Sequence, residues 1–126
     1  MSLRDYVSSL QAAIAAAPFV TTTSLAFEER PPSGGFIKGQ IVFIDGSLLD
    51  FKEFLITQPT VQIVKYGYHY RRGSSLIFRY DNASDPAAKS LSTFPLHKHV
   101  PAGLLSAEQP SLEQVLQEIV LHVTVP

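Results

Sequence analysis

The chain has 126 residues, 45% of them hydrophobic and 17% charged, with a formal net charge of −1 and no cysteine. This length and composition predict one globular domain over residues 1–126. The near-neutral charge excludes nucleic-acid binding over the whole surface, so contact with phosphate needs a local cluster of cations. The absence of cysteine excludes disulfide scaffolds, thiol nucleophiles and cysteine-ligated zinc. The first residues have no long apolar run, so we expect no signal peptide, no membrane span and a cytoplasmic location.

The N-terminal segment has the pattern of an amphipathic helix. Ser2 can cap it, Asp5 follows three residues later, and Pro18 ends it at about Ala17. Its apolar stripe is Leu3, Val7, Leu10, Ile14 and Ala17. The β-branched run from Val20 to Glu29 then predicts a strand, which ends at the turn residues 30–35.

Residues 36–56 predict a β-hairpin around the turn Asp45-Gly46-Ser47. A three-residue loop collects the strongest apolar side chains on one face, whereas a two-residue loop mixes the faces. The three-residue loop pairs Phe43 with Leu49, Ile41 with Phe51, Ile37 with Leu55 and Gly39 with Glu53. The Glu53 carboxylate then lies on an apolar face, either as a base with a raised pKa or in a buried salt bridge to an arginine.

A second hairpin is predicted where tyrosines alternate with polar residues. A loop of Gly73-Ser74-Ser75 pairs Tyr70 with Phe78, Tyr68 with Tyr80, His69 with Arg79 and Gly67 with Asp81. One face is then an aromatic layer that packs against a helix, and we expect this layer to be core rather than a stacking platform. The other face is polar and carries His69, Arg71, Arg79 and Asp81.

The remaining segments complete the predicted fold. Residues 82–92 are small and polar and predict a loop, and residues 93–100 are extended around Pro95. Ser111 and Gln114 can form the capping box of a C-terminal helix. Its buried stripe is Leu112, Val115, Leu116 and Ile119. The elements predict an α+β domain, with an antiparallel sheet of about five strands and both helices on one face.

Two histidines separated by one residue are candidates for chemistry. His97 and His99 flank Lys98, and residues two apart on a strand point the same way. The imidazoles can therefore bind a divalent metal, hold a phosphate or supply an acid and a base. A solvated or structural role is the alternative. We expect no tightly bound metal, because spacing alone positions only these two ligands.

Arg79 and Asp81 lie two residues apart on the polar face, beside His69. They are either an ordinary ion pair or a group in which Asp81 orients a cation toward a phosphodiester. Five cations fall between residues 71 and 98: Arg71, Arg72, Arg79, Lys89 and Lys98. A basic patch beside aromatic rings favours RNA as a ligand.

Three segments, in order, resemble the TumE family of toxins from prokaryotic toxin–antitoxin pairs. They are YGYHYRRGSSLIFRYDNA, STFPLHKHV and PSLEQVLQEI, and DGSLLDFKEFL is similar to an early hairpin of the family. The resemblance highlights Glu53, Tyr68, His69, Tyr70, Arg79, Tyr80, Asp81, Asn82, His97, Lys98 and His99. Leu96 and the run Ser84-Asp85-Pro86 stand where the family has further histidines. The resemblance implies an intracellular toxin with a cognate antitoxin.

Together, the residues and the resemblance suggest a metal-independent ribonuclease without a cofactor. The catalytic candidates are His69, Arg79, Asp81, His97 and His99, and the substrate-binding candidates are Arg71, Tyr80, Asn82 and Lys98. One imidazole would remove the 2′-hydroxyl proton, and another imidazole or Lys98 would protonate the leaving oxygen. The expected partners are the antitoxin and RNA, with a homodimer left open and no membrane. The alternatives are a non-catalytic module that binds a protein through its sheet edge or tyrosine face, and a metal-dependent hydrolase using Asp81, His97 and His99.

Overall fold

The structure, a computed structural model, describes residues 1–125. Its elements in chain order are α1 (Leu3–Ala16), β1 (Val20–Arg30), β2 (Gly34–Phe43), β3 (Leu48–Ile56), β4 (Gln62–Arg72), β5 (Ser75–Asp81), β6 (His97–Val100), β7 (Gly103–Ser106) and α2 (Leu112–Val120). One turn of 3-10 helix, Pro86–Ala88, lies between β5 and β6. Within residues 1–125, no helix is long and apolar enough to cross a membrane.

The strands form one antiparallel sheet in which each strand pairs with the next along the chain. The predicted α+β fold with an antiparallel sheet is confirmed, but the prediction of about five strands is wrong, because residues 1–125 form seven. The additional strands, β6 and β7, have four residues each. Four residues are too few to show a clear alternating pattern. β6 and β7 pair with each other through a two-residue turn, whereas the pairing of β6 with β5 joins segments about 16 residues or more apart.

Both helices begin where the sequence predicts. Ser2 and Asp5 form a reciprocal capping box at α1, and Ser111 and Gln114 form another at α2. Each box satisfies two backbone N–H groups that the helix itself leaves unpaired. Ala17 is extended before Pro18, so α1 ends at Ala16 as the proline requires.

Both helices cover the same face of the sheet, as predicted. The core joins the helix stripes to the inward side chains of the strands: Leu3, Val7, Leu10, Ile14, Ile37, Ile41, Leu49, Phe51, Leu55, Tyr68, Tyr70, Phe78, Val115 and Ile119. His69 and Arg79, which alternate with these residues, lie on the opposite face, which we call the open face. The predicted orientation of the aromatic layer is therefore confirmed.

The predicted register of the first hairpin is wrong by two residues. Ile41 pairs with Leu49 and Gly39 with Phe51, so five residues, 43–47, separate the last pair. A slip of two keeps every side chain on its face, so the hydrophobic pattern does not detect it. The wider turn is held from outside the hairpin: Tyr70 hydrogen-bonds the buried Ser47 hydroxyl, and Arg72 and the N–H of Thr124 donate to Asp45.

The predicted register of the second hairpin is confirmed from Gly67–Asp81 to Tyr70–Phe78. The predicted three-residue loop is replaced by a tighter turn, in which Arg72 pairs with Ser75. Ile77 has no partner on β4 and forms a bulge. This extra residue shifts the register by one between the pair Tyr70–Phe78 and the pair Arg71–Leu76. The turn begins with Gly73, whose φ of +59° is in the left-handed region that favours glycine.

Candidate functional site

A carboxylate and two imidazoles converge where β5 pairs with β6. Asp81 pairs with His97 and Arg79 pairs with His99, so the strand pairing brings four of the five predicted catalytic residues together. Nε2 of His97 is 3.0 Å from Nε2 of His99 and 3.1 Å from Oδ1 of Asp81. Nε2 of His99 is 3.4 Å from Oδ2 of Asp81. These residues are hereafter the Asp81–His97–His99 cluster.

The segment between β5 and β6 fixes the orientation of the cluster. The N–H of Ala83 donates to Oδ1 of Asp81 at 3.0 Å, and Nδ1 of His97 is 2.7 Å from the carbonyl oxygen of Pro95. The His97 side chain is 1% exposed and that of Asp81 is 5% exposed, whereas His99 is 27% exposed. His99 is therefore the member of the cluster that a ligand reaches from solvent.

Arg79 and His69 extend the cluster across the open face. His69, Arg79 and His99 are direct partners on β4, β5 and β6, so their backbones form one row across the sheet. Arg79 is exposed, and its Nε lies 3.0 Å from Oδ2 of Asp81. Burial, followed by the positive charges of Arg79 and Arg71, lowers the pKa of His69. Near pH 7 this imidazole is neutral and offers a nitrogen lone pair.

A shallow hollow of about 400 Å³ adjoins this row on the open face. Gly67 contributes to it by leaving open space: within residues 1–125, a side chain there would have no atom within 4 Å of its Cβ. The hollow's charged and polar lining is Lys38, Asp50, Lys52, His69 and Arg79. The sequence analysis missed both lysines, since each is one of many exposed strand cations until the sheet aligns its strands.

Lys98 and Tyr80 lie on the helix-covered face and are not part of the cluster. The ammonium group of Lys98 is 2.6 Å from the carboxylate of Glu118 on α2, and the Tyr80 hydroxyl donates to the same carboxylate at 2.5 Å. Lys98, predicted as a substrate-binding residue and alternative proton donor, therefore lies apart from the two histidines. Successive strand residues point to opposite faces, so a residue between two converging imidazoles must point away from them.

The other two predicted substrate-binding residues make contacts within the protein. Asn82 accepts a hydrogen bond from the N–H of Tyr66 and donates to the carbonyl oxygen of Val64, which extends the contact between β4 and β5. Arg71 pairs with Asp50 at 3.3 Å and donates to the carbonyl oxygen of Gly73. Arg71 is half-exposed and lies near His69, whose pKa its charge lowers.

Glu53 is fully buried on the helix-covered face, as predicted, but the salt bridge to an arginine is wrong. Its carboxylate accepts hydrogen bonds from the hydroxyl of Tyr6 at 2.6 Å and from the hydroxyl of Tyr68. Burial raises the pKa of Glu53, and the two hydroxyl donors oppose that rise. The group joins α1, β3 and β4 on the side of the sheet opposite the open face, so its contacts are those of a structural network.

The model of the protein family described as Toxin TumE matches residues 10–124. The match extends beyond the quoted motifs into α1 and includes every residue of the cluster and of the hollow. No curated protein and no solved structure matches the chain significantly. The resemblance found from the sequence motifs is therefore confirmed over nearly the whole chain.

Proposed function

The chain belongs to the TumE toxin family, and we propose that it is the toxic component of a toxin–antitoxin pair and acts as a ribonuclease. The observation that supports this activity is the meeting of two imidazoles and a carboxylate beside an exposed arginine, with a third imidazole one strand further. RNA carries its own nucleophile, the 2′-hydroxyl group. Its cleavage needs only a base, an acid and stabilisation of charge on phosphorus, and these side chains can supply all three.

The hollow beside the cluster is the proposed binding surface for the RNA backbone. Lys38, Lys52 and Arg79 bring three positive charges to it, against the single carboxylate of Asp50. Because the net charge of the chain is −1, this concentration is local and directs a polyanion to one place. RNA held there places a phosphate next to the row of His69, Arg79 and His99.

In the proposed reaction, His69 takes the proton of the 2′-hydroxyl group as the 2′ oxygen bonds to phosphorus. The bond from phosphorus to the 5′ oxygen breaks, and protonated His99 gives its proton to that oxygen. Arg79, between these residues in the row, stabilises the added negative charge on the phosphoryl oxygens. The products are a 2′,3′-cyclic phosphate and a 5′-hydroxyl group.

Strand spacing supports this division of roles. The backbones of β4 and β6 are two strand spacings apart, about 10 Å, so two inward-leaning imidazoles can flank one phosphate. Asp81 and His97 contact the ring of His99 and keep it in place. Lys98 has no part in the reaction, because it faces α2.

The test is cleavage of a short RNA by purified protein in the presence of a chelator, together with growth arrest on expression. We expect His69→Ala, Arg79→Ala and His99→Ala each to slow cleavage by about 10²–10⁴-fold. Arg4→Ala removes an exposed cation from α1, across the sheet, and should leave cleavage unchanged.

An RNA with a single 2′-deoxy substitution at the cleaved position should resist the enzyme, and product analysis should find the cyclic phosphate. Cleavage of the deoxy substrate, or three variants as active as wild type, would refute the mechanism.

A second candidate is a non-catalytic module that binds the antitoxin as a protein partner. The tyrosine face is unavailable for this role, since Tyr68 and Tyr70 are 0% exposed beneath the helices. The edge strand β1 supports the idea, because its 11 residues are almost all exposed and only one side pairs with β2. A folded wild type that neither cleaves RNA nor arrests growth would favour this candidate.

A further inference from the structure

We propose that the Asp81–His97–His99 cluster binds a divalent transition-metal ion of the zinc class, and that the ion inhibits the ribonuclease by occupying Nε2 of His99. The inhibition rests on the proposed function, whereas the binding of the ion does not. The sequence analysis expected no metal because spacing positioned only two ligands. Pairing of β5 with β6 adds Asp81 as the third.

The separations between the ligand atoms are those of a metal site. Nε2 of His97 lies 3.0 Å from Nε2 of His99 and 3.1 Å from Oδ1 of Asp81, whereas Nε2 of His99 lies 3.4 Å from the other carboxylate oxygen, Oδ2. With one ligand atom from each residue, all three atoms lie within 4.8 Å of one another. A zinc ion bound at about 2.0–2.1 Å in tetrahedral geometry holds its ligand atoms about 3.3 Å apart. An ion can therefore enter between these atoms with little movement of the side chains.

Hydrogen bonding leaves a lone pair of His97 directed toward the centre of the cluster. Nδ1 of His97 faces the carbonyl oxygen of Pro95, which can only accept, so the ring proton is on Nδ1. In the neutral ring Nε2 is then a lone pair, 3.1 Å from a carboxylate oxygen that is also an acceptor. Two acceptors at that distance repel each other unless a positive charge joins them. An added proton or a metal ion meets this need.

Asp81 provides a second, independent sign of a missing ligand. Its side chain is 5% exposed, and its Oδ2 accepts no hydrogen bond from residues 1–125. Arg79 Nε lies 3.0 Å away but is not aligned for a hydrogen bond to that oxygen. A buried carboxylate oxygen without a donor is costly, and coordination to a cation removes that cost.

The surroundings of the cluster favour a transition metal over magnesium. Two imidazoles and one carboxylate suit zinc, cobalt(II) and related ions, whereas magnesium prefers oxygen ligands. The hydrogen bonds from Ala83 to Asp81 and from His97 to Pro95 hold the first ligands in place. His99 is 27% exposed, so water or a substrate oxygen can reach the ion from that side.

Metal binding and proton donation exclude each other at His99. When Nε2 of His99 coordinates an ion, it has no proton to give to the leaving 5′ oxygen. The metal-free cluster is therefore the form that can act in the proposed reaction, and the metal-bound cluster is inactive. A rise in free zinc shifts the population from the first form to the second, because the ion binds only one of them.

The binding test uses untagged protein freed of metal with a chelator and titrated with zinc chloride in a calorimeter. We expect one zinc per chain, and cobalt(II) bound in its place should give the intense visible absorption of a low-coordinate site. His99→Ala removes a partly exposed ligand and should weaken zinc binding more than about 100-fold. That is a larger loss than the one expected when a residue that only hydrogen-bonds a metal ligand is removed. Asp81→Asn should weaken it similarly. The matched control is His69→Ala, which removes an imidazole from the same face and should bind zinc like wild type.

The cleavage assay separates this proposal from the previous one. Equimolar zinc should stop RNA cleavage by wild type, and excess chelator should restore it. If wild type binds zinc no more tightly than His99→Ala, the metal site is refuted, whatever the protein does to RNA. If wild type binds zinc but never cleaves RNA, the metal site stands and the proposed function fails. If zinc raises cleavage instead of stopping it, the inhibition is refuted, together with the proton donor assigned to His99.

Discussion

Substitution of Gly39 by alanine tests how β2 and β3 are paired. Gly39 faces Phe51 across the two strands, and a Cβ added to it would overlap the Phe51 ring. Phe51 is 3% exposed and stacks on Tyr68, with ring centroids 6.1 Å apart. Tyr68 is itself fully buried and hydrogen-bonded to Glu53. Any movement of the Phe51 ring away from Gly39 therefore disturbs its packing against Tyr68.

The expected cost follows from this confinement. Overfilling a packed core costs about 1–3 kcal/mol, and the rigidity around Phe51 favours the upper half of that range. Gly67→Ala is the matched control, because it is also a strand glycine but has open space at its Cβ within the described residues. There the loss of backbone freedom in the unfolded chain should stabilise the protein by about 0.4–1 kcal/mol.

The assay is urea unfolding of both variants, followed by circular dichroism. Phe51→Leu in the Gly39→Ala background should recover part of the loss, with a coupling energy of at least about 1 kcal/mol in a double-mutant cycle. If Gly39→Ala is as stable as Gly67→Ala, Gly39 does not face Phe51. The register that the hydrophobic pattern favoured, with Gly39 opposite Glu53, would then be correct.

Three further predictions concern the buried polar contacts. Tyr68→Phe removes a hydroxyl that donates to the buried carboxylate of Glu53, and should lower the free energy of unfolding by about 2 kcal/mol; a change below about 0.5 kcal/mol would contradict that role. Burial raises the pKa of Glu53 from 4.5, so the folded state binds its proton more tightly than the unfolded state. As pH rises above 4.5, the free energy of unfolding of wild type should therefore fall relative to that of Glu53→Gln. The slope should reach up to about 1.4 kcal/mol per pH unit and should end once the pH exceeds the pKa of Glu53 in the folded state. A constant difference between the two proteins from pH 4 to pH 8 would refute this linkage. Lys98→Met breaks a partly buried pair with Glu118 and should cost about 1–2 kcal/mol of stability while leaving RNA cleavage by the folded protein unchanged; loss of cleavage would return Lys98 to the site.

Features that depend on neighbours in sequence were predicted well. The capping boxes at Ser2 and Ser111 and the apolar stripes of both helices rest on contacts three or four residues apart. The alternation of Tyr68 and Tyr70 with His69 indicated which side of β4 is buried, because the period of a strand is two residues. The pairing of His69 with Arg79 was also predictable, since a tight turn joins their strands.

The register of the first hairpin shows where local patterns stop being informative. A slip of one residue exchanges the two faces and is excluded by hydrophobicity, but a slip of two leaves the faces unchanged. The choice between such registers was made by side chains that reach the turn from elsewhere, Tyr70 and Arg72 among them. Their contribution cannot be seen from the hairpin's own residues.

By itself, the sequence determined the fold class, the family and the two short segments that contain the candidate site. Each of these can be recognised from patterns of residues that are close together along the chain. Only the tertiary structure decided how those segments meet. The pairing of β5 with β6 joins Asp81 to His97, and it sends Lys98 to the helix side. The pairing of β2 with β3 places Lys38 beside Lys52. Both lysines line the same hollow as Arg79 and Gly67. Such contacts depend on strand order and register, which are set by the packing of the whole sheet rather than by any one segment.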